Sequence, residues 1–95
     1  MGTKMAVIDI IAKELHMEPH ELLRESLQTY LEQRLSRVEA ELFLIAKKYG
    51  VKDVFELDTK IKEGLVSENE AYDDYFTLDN LEAERENLKK ISEKL

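Results

Sequence analysis

Apolar side chains recur three or four positions apart along most of this chain, which is the spacing of one face of an α-helix. The longest such stripe lies in residues 19–49 and follows a heptad-like pattern. A helix of that length spans roughly 45 Å. The stripe must therefore pack along another long helix, either in this chain or in a second copy. Its members are Leu27, Leu31, Leu35, Val38, Leu42, Ile45 and Tyr49.

A second long helix is predicted from about Glu68 to Leu95, because Leu81, Leu88 and Leu95 are seven residues apart. Ser67 is its predicted N-cap, with Glu70 reaching back as in a capping box. At helical spacing it also carries Ala71, Tyr75, Leu78, Arg85 and Ile91.

The two long helices most simply form an antiparallel hairpin that dimerises into a helical bundle. The fold class is therefore all-α, with short helices at the N-terminus and at the elbow of the hairpin. The candidate dimerisation residues are Leu27, Leu31, Leu35, Val38, Leu42 and Ile45.

Few helix breakers occur, and they mark the boundaries of the predicted helices. Pro19 suits the first turn of the long helix predicted in residues 19–49. Gly50 follows Tyr49, where a helix commonly ends on a left-handed residue. Lys47 and Lys48 lie in the preceding turn, where the helix dipole favours cations.

The elbow, residues 50–66, contains a predicted short helix in "KDVFELDTKIKEGL". Asp53 and Glu56 have the spacing of a capping box. Gly64 is placed to end this helix. Its predicted inward residues are Val54, Leu57 and Ile61.

The first segment has two interpretations. Helical spacing of Met5, Ile8, Ala12 and Leu15 favours a helix from about Ala6 to His16. The stretch "TKMAVIDI" also has the β-branched bulk of a short strand. We prefer the helix.

Length and composition favour one small domain over residues 1–95. Residues 5–49 carry the N-terminal helices and the dimerisation stripe, and residues 67–95 form the acidic helix that we expect to bind a partner. There is no cysteine, no long apolar run and no secretory signal pattern at the start. We therefore expect a cytoplasmic protein.

Negative charge is concentrated in the second half of the chain. The net charge is −7. Residues 68–86 contain eight acidic side chains and a single basic one, Arg85. Such a field repels nucleic acid and favours a basic partner. The alternative is an acidic face that is merely solvated.

Candidate chemistry is sparse. His16 and His20 are four residues apart, but Pro19 interrupts the helix between them and no third metal ligand is evident. Asp73 with Asp74, and Glu82 with Glu86, are paired carboxylates on a long exposed helix. Acid–base catalysis needs a dry cleft, which such a helix does not provide. We therefore predict no enzymatic activity, no metal and no cofactor.

Nucleic-acid binding is possible but not indicated by charge. It needs a basic stripe, and the basic residues of the first half are interspersed with as many glutamates. The basic residues are Arg24, Arg34, Arg37, Lys47 and Lys48, and the glutamates are Glu21, Glu25, Glu32, Glu39 and Glu41.

The aromatic–acidic segment, residues 67–78 ("SENEAYDDYFTL"), is the most distinctive stretch. On a helix, Tyr75 faces inward while Tyr72 and Phe76 stay partly exposed between acids. Aromatic side chains are enriched at interface centres. The alternative is a wide core face that buries all three. The candidate partner-binding residues are Tyr72, Asp73, Asp74, Tyr75, Phe76, Asp79 and Glu82.

Two parts of the chain resemble known antitoxins. Residues 12–35, "AKELHMEPHELLRESLQTYLEQRL", resemble the helix–turn–helix part of ribbon-helix-helix antitoxins, in the runs Leu22–Glu25 and Tyr30–Glu32. Residues 47–95 resemble small acidic archaeal antitoxins of type II toxin–antitoxin pairs. The shared features there are the "KYGV" break, the "IKEG" helix end and the acidic "LDNL" region.

This resemblance implies a dimer that binds and silences a cognate toxin, commonly a basic ribonuclease, and that sometimes binds its own operator. The basic strand that DNA-binding members carry ahead of the first helix is missing, or reduced to "TKMAVIDI" with one lysine. The leading hypothesis is therefore an antitoxin-like inhibitor. The alternatives are a helical dimeric scaffold and an autoregulatory DNA-binding protein that uses residues 6–35.

Overall fold

Four helices make up most of the part of the chain that the structure describes. The computed structural model describes the backbone of residues 3–95 and the side chains from residue 7 onward. No residue in this described range is part of a strand. The all-α prediction is confirmed, and the alternative of a strand in the first segment is wrong. The side chain of Met5, one of the residues whose spacing predicted this helix, lies outside the described side chains. The helices are α1 (Thr3–Glu14), α2 (Pro19–Tyr49), α3 (Val54–Lys62) and α4 (Glu68–Ser92).

The molecule is a rod of 60 × 22 × 20 Å. Its radius of gyration is 19.8 Å, whereas a compact domain of this length would have about 12 Å. The length comes from α2, along which α4 packs. Contacts run from Arg24 with Leu95 at one end to Lys48 with Asp74 at the other. The start of α2 therefore lies beside the end of the chain, and the end of α2 lies beside the start of α4.

The predicted stripe of α2 is covered mainly by α4 of the same chain. Leu31, Val38 and Leu42 are buried, and Leu35, Ile45 and Tyr49 pack against them partly exposed. Leu27 is 45% exposed. The buried part of the stripe is thus occupied within one chain, and its role in a dimer stays a prediction. The facing residues of α4 that are buried are Ala71, Leu78, Leu81 and Leu88.

The end of α2 is fixed by Gly50, as predicted. Gly50 has a φ of +67°, in the left-handed region that an L side chain rarely adopts. The N–H of Val51 then donates to the carbonyl of Ala46 at 2.9 Å. Lys60 of α3 adds a long-range cap, because its Nζ donates to the carbonyl of Tyr49 at 2.9 Å. This lysine neutralises the negative end of the α2 dipole.

The short helix α3 begins at its predicted cap. Asp53 accepts a hydrogen bond from the N–H of Glu56 at 2.9 Å. The Glu56 carboxylate accepts from the N–H of Lys52 instead of that of Asp53, so the reciprocal bond is shifted by one residue. Val54 and Leu57 are buried as predicted. Gly64, with a φ of +77°, follows the end of this helix.

The predicted capping box of α4 is wrong. Ser67 occupies the N-cap position, but its side chain makes no capping hydrogen bond. Its carbonyl accepts from the N–H of Ala71 at 3.0 Å, as in any helix. Ser67 and Glu70 are both exposed, and water can satisfy the free N–H groups of an exposed first turn. The helix ends at Ser92, before the predicted Leu95.

The first helix ends at Glu14, close to the predicted end at His16, but the left-handed conformation of His16 was not predicted. His16 has a φ of +59°, and the N–H of Met17 donates to the carbonyl of Ala12 at 2.8 Å. This is the hydrogen bond of a left-handed helix end, which glycine usually provides. Ala12 is fully buried. Pro19 occupies the first turn of α2, as predicted.

Candidate functional site

Two aromatic side chains of the aromatic–acidic segment lie on the surface. Tyr72 is 58% exposed and Phe76 is 50% exposed. Their rings meet edge to face with centroids 5.1 Å apart. Tyr75 is half-buried against the core and contacts Phe76 in the same geometry, at 5.4 Å. The alternative of a core face that buries all three aromatics is therefore wrong for Tyr72 and Phe76.

A groove of about 250 Å³ lies beside these rings, between α3 and the start of α4. We call it the aromatic groove. Two of its lining residues are acidic, so its walls combine aromatic faces with carboxylates. The lining residues are Asp58, Ile61, Glu68, Tyr72, Tyr75 and Phe76.

One basic side chain lies at the edge of the aromatic groove. Lys62 Nζ is 2.9 Å from a carboxylate oxygen of Asp58. This hydrogen bond is the main cause that raises the pKa of Lys62. The ion pair is exposed and joins residues four apart on α3, so solvent screens it and it contributes little to stability. An incoming cation can displace Lys62 from Asp58 at little cost.

Asp74, a predicted partner-binding residue, has partners within the chain. Its Oδ2 accepts from Lys48 Nζ at 2.7 Å and from the Tyr49 hydroxyl at 2.6 Å. These hydrogen bonds, that of Lys48 first, lower the pKa of the Asp74 carboxyl. Burial is the main cause that raises the pKa of Tyr49. The charge of Asp74 thus fastens α4 to the end of α2.

Glu82, another predicted partner-binding residue, makes a hydrogen bond within the chain. Its Oε2 accepts a hydrogen bond from the N–H of Val54 at 2.8 Å. Val54 is the first residue of α3, so Glu82 caps the positive end of that helix from across the elbow. Sequence reasoning missed this contact because it depends on the packing of α3 on α4, which no local pattern reveals.

Asp73 and Asp79 are the predicted acidic residues that remain exposed. With Tyr72 and Phe76 they place two carboxylates and two aromatic rings on the outside of α4. This arrangement can contact a cation through a carboxylate and a ring face together. These four residues do not pair a nucleophile with a base, as covalent catalysis would need.

A second groove, of about 330 Å³, lies between α2 and α4. Arg34 and Arg37 line it together with Glu41 and Glu84. Arg34 forms an ion pair with Glu84, so half of the basic charge is neutralised. This groove is therefore not a basic stripe of the kind that binds nucleic acid. The helix α1 moreover occupies the position where a DNA-binding ribbon would need a strand.

The two histidines lie at the junction of α1 and α2. His16 is in the turn and His20 is in the first turn of α2, and both are exposed. Among residues 7–95, no three histidine, cysteine or acidic side chains are grouped in a way that would hold a metal ion. Within the same part of the chain, no helix has the length and apolar character needed to cross a membrane.

These features define a small all-helical protein, built on two long packed helices with an aromatic and acidic surface near the elbow. The chain belongs to the uncharacterized protein MJ0235 family, whose family model matches residues 4–95. No curated protein and no solved structure matches the chain.

Proposed function

We propose that this protein is an antitoxin-like inhibitor that binds a basic protein partner through the aromatic groove and its rim. The observation that carries the proposal is the exposure of Tyr72 and Phe76, which contact each other edge to face among carboxylates. Large aromatic side chains at half exposure gain apolar burial on binding. Neighbouring acids raise the association rate with a cationic partner.

The expected partner follows from charge and from the resemblance to type II antitoxins. A cognate toxin of that class is commonly a basic ribonuclease, whose RNA-binding cleft is cationic. The segment 68–86, with its eight acidic residues, complements such a cleft. Asp74 and Glu82 are engaged within the chain, so Asp73 and Asp79 are the acids we assign to the partner.

The proposed mechanism is occlusion. The groove and its rim cover the active surface of the toxin, and this chain performs no bond chemistry. The proposal places the protein in the cytoplasm, where such a toxin acts.

The proposal also includes an antiparallel hairpin that associates as a homodimer. The order of contacts supports the hairpin, because Arg24 meets Leu95 while Lys48 meets Asp74. The rod shape supports the dimer. A rod of this length buries less of its surface than a compact domain, and association recovers part of that burial.

Co-expression with the neighbouring reading frame tests the inhibitor proposal. Tyr72→Ala combined with Phe76→Ala should weaken the complex by a factor of about 30 or more, since interface anchors of this kind contribute about 1–2 kcal/mol or more each. Toxicity should return in cells. Circular dichroism should show the same helix content as wild type, because neither side chain belongs to the core.

The matched control is Tyr30→Ala combined with Phe43→Ala. These residues are also one tyrosine and one phenylalanine, 55% and 63% exposed, but they lie on α2. The control should leave binding and growth unchanged. If the Tyr72 and Phe76 variant still suppresses toxicity while folded, the proposed surface is wrong.

A helical scaffold is the second candidate, and the intramolecular contacts of Asp74 and Glu82 favour it. They show that part of the acidic charge stabilises the fold. Asp73→Lys with Asp79→Lys discriminates between the two candidates. A scaffold with a solvated acidic face tolerates this reversal in every binding assay, whereas the inhibitor loses its partner.

A further inference from the structure

We propose that two copies of this chain associate through the end of the rod opposite the elbow. This apolar end carries eight large aliphatic side chains from α1, from the start of α2 and from the end of α4, each between 37% and 60% exposed. The inference rests on the dimer proposed above and names its surface. The apolar end comprises Val7, Ile10, Ile11, Leu15, Leu23, Leu27, Ile91 and Leu95.

The first observation concerns α1, which is apolar on two sides. Ala12 is fully buried and Ile8 is half-buried where α1 meets the rest of the chain. Val7, Ile10 and Ile11 project from other sides of the helix and are 48%, 60% and 44% exposed. The apolar surface of α1 is therefore wider than the side that packs on the rest of the chain, and a wide apolar stripe normally faces a covering partner. One chain covers only one side of α1.

The second observation concerns the seam between α2 and α4. Leu42, Val38 and Leu31 are its buried members on α2, but the next member of the stripe, Leu27, is 45% exposed. On α4 the seam is buried up to Leu88, and then Ile91 and Leu95 are 37% and 39% exposed. The seam therefore continues past the point where the chain itself can cover it.

The available area fits a second copy. The eight side chains expose on the order of 700 Å², close to the roughly 800 Å² per partner that a standard specific interface buries. An isologous contact lets the same patch serve both copies. The α1 helices and seam ends of two chains would cover one another and extend the rod into a longer bundle.

The charges around the apolar end favour a copy of this chain over an acidic or basic partner. Residues 7–27 and 89–95 contain six acidic and five basic side chains. The net charge of this region is thus close to zero, so two copies do not repel each other there. The elbow half, with its acidic surplus, would repel a second copy.

Sedimentation velocity and light scattering across a concentration series test the inference. The wild type should have twice the monomer mass of 11.1 kDa. Ile10→Glu combined with Leu27→Glu should raise the dissociation constant at least 100-fold, because it places four buried carboxylates in the interface. Glutamate favours helix, so the helix content should persist.

The matched control is Phe43→Glu combined with Leu44→Glu, which changes two exposed apolar residues near the C-terminal end of α2, away from the apolar end. It should remain dimeric. If the wild type is a dimer and the Ile10 and Leu27 variant is equally dimeric, the apolar end is not the interface. The proposed dimer itself would then remain valid.

A wild type that stays monomeric up to about 0.5 mM overturns both the dimer and this inference. That holds whether the apolar end then binds phosphatidylcholine vesicles, another protein or nothing. Capture of the toxin by Tyr72 and Phe76 is measured separately, so its failure is distinguishable from either result.

Discussion

The Tyr49 hydroxyl donates a hydrogen bond to the Asp74 carboxylate at 2.6 Å and thereby ties the last turn of α2 to the second turn of α4. Tyr49→Phe removes only this hydroxyl. We expect it to lower the free energy of unfolding by about 1.5–3 kcal/mol, the usual contribution of a hydrogen bond to a charged group. Urea denaturation followed by circular dichroism measures the change. An unchanged midpoint would show that water replaces the hydroxyl without loss.

The same contact predicts a pH dependence. The folded state lowers the pKa of Asp74 below its ordinary value of 3.8, so its contribution to stability is fully present well above pH 3.8. It is lost as pH falls through the lowered folded-state pKa. The difference between wild type and Tyr49→Phe should therefore be constant from about pH 5 to 7 and shrink at more acidic pH. A difference that grows on acidification would contradict this assignment.

Glu82 is predicted to be a structural cap. Glu82→Ala leaves the N–H of Val54 without its acceptor, and loss of a helix cap costs about 1 kcal/mol. Hydrogen exchange should show faster exchange of the Val54 amide and the first turn of α3. Glu86→Ala is the control, since Glu86 is exposed and has only Arg85 Nε nearby, at 3.8 Å. Equal effects of the two variants would rule out the capping role.

Relief of backbone strain at His16 should stabilise the protein. The φ of +59° at His16 costs an L side chain roughly 1 kcal/mol, and glycine avoids that cost. His16→Gly should raise the free energy of unfolding by about 0.5 kcal/mol after the added entropy of the unfolded chain is subtracted. Gly50→Ala, at a φ of +67°, should act in the opposite direction by about 1 kcal/mol. Differential scanning calorimetry can compare both variants with wild type.

Two leucines of the elbow give a paired test of burial. Leu57 is fully buried and Leu65 is 69% exposed. Leu57→Ala should cost about 2–5 kcal/mol, because it removes buried methyl groups and leaves a cavity. Leu65→Ala should change stability by less than about 0.5 kcal/mol. Similar losses at both positions would mean that Leu65 is covered in solution.

The sequence predicted the helices well where a local residue determines the boundary. Pro19 marks the start of α2 because its ring fixes φ, and Gly50 marks the end because glycine tolerates the left-handed conformation found there. Asp53 marks the start of α3 because its side chain accepts a hydrogen bond from a free N–H of the first turn. The left-handed conformation of His16 was not predicted, because a left-handed histidine has no distinctive sequence pattern.

The site was harder to predict because its contacts are long-range. Tyr72 and Phe76 were placed on the surface by helical periodicity alone, which needs only the position of the buried face. The intramolecular contacts of Asp74 and Glu82 depend on the register between α4 and its neighbours. A register of that kind is set by the packing of the whole seam, so a short motif does not reveal it.

The two surfaces proposed for binding lie at opposite ends of a rod 60 Å long. Electrostatic screening at physiological ionic strength acts over about 8 Å, so a charge bound at one end has no field at the other. The ends are thus electrically independent. Any coupling between the two binding surfaces must therefore be conformational, through a shift or bend of the packed helices α2 and α4. In a dimer joined at its apolar ends, the two aromatic grooves would lie at opposite ends of the assembly. Each groove could then bind its own partner without hindering the other.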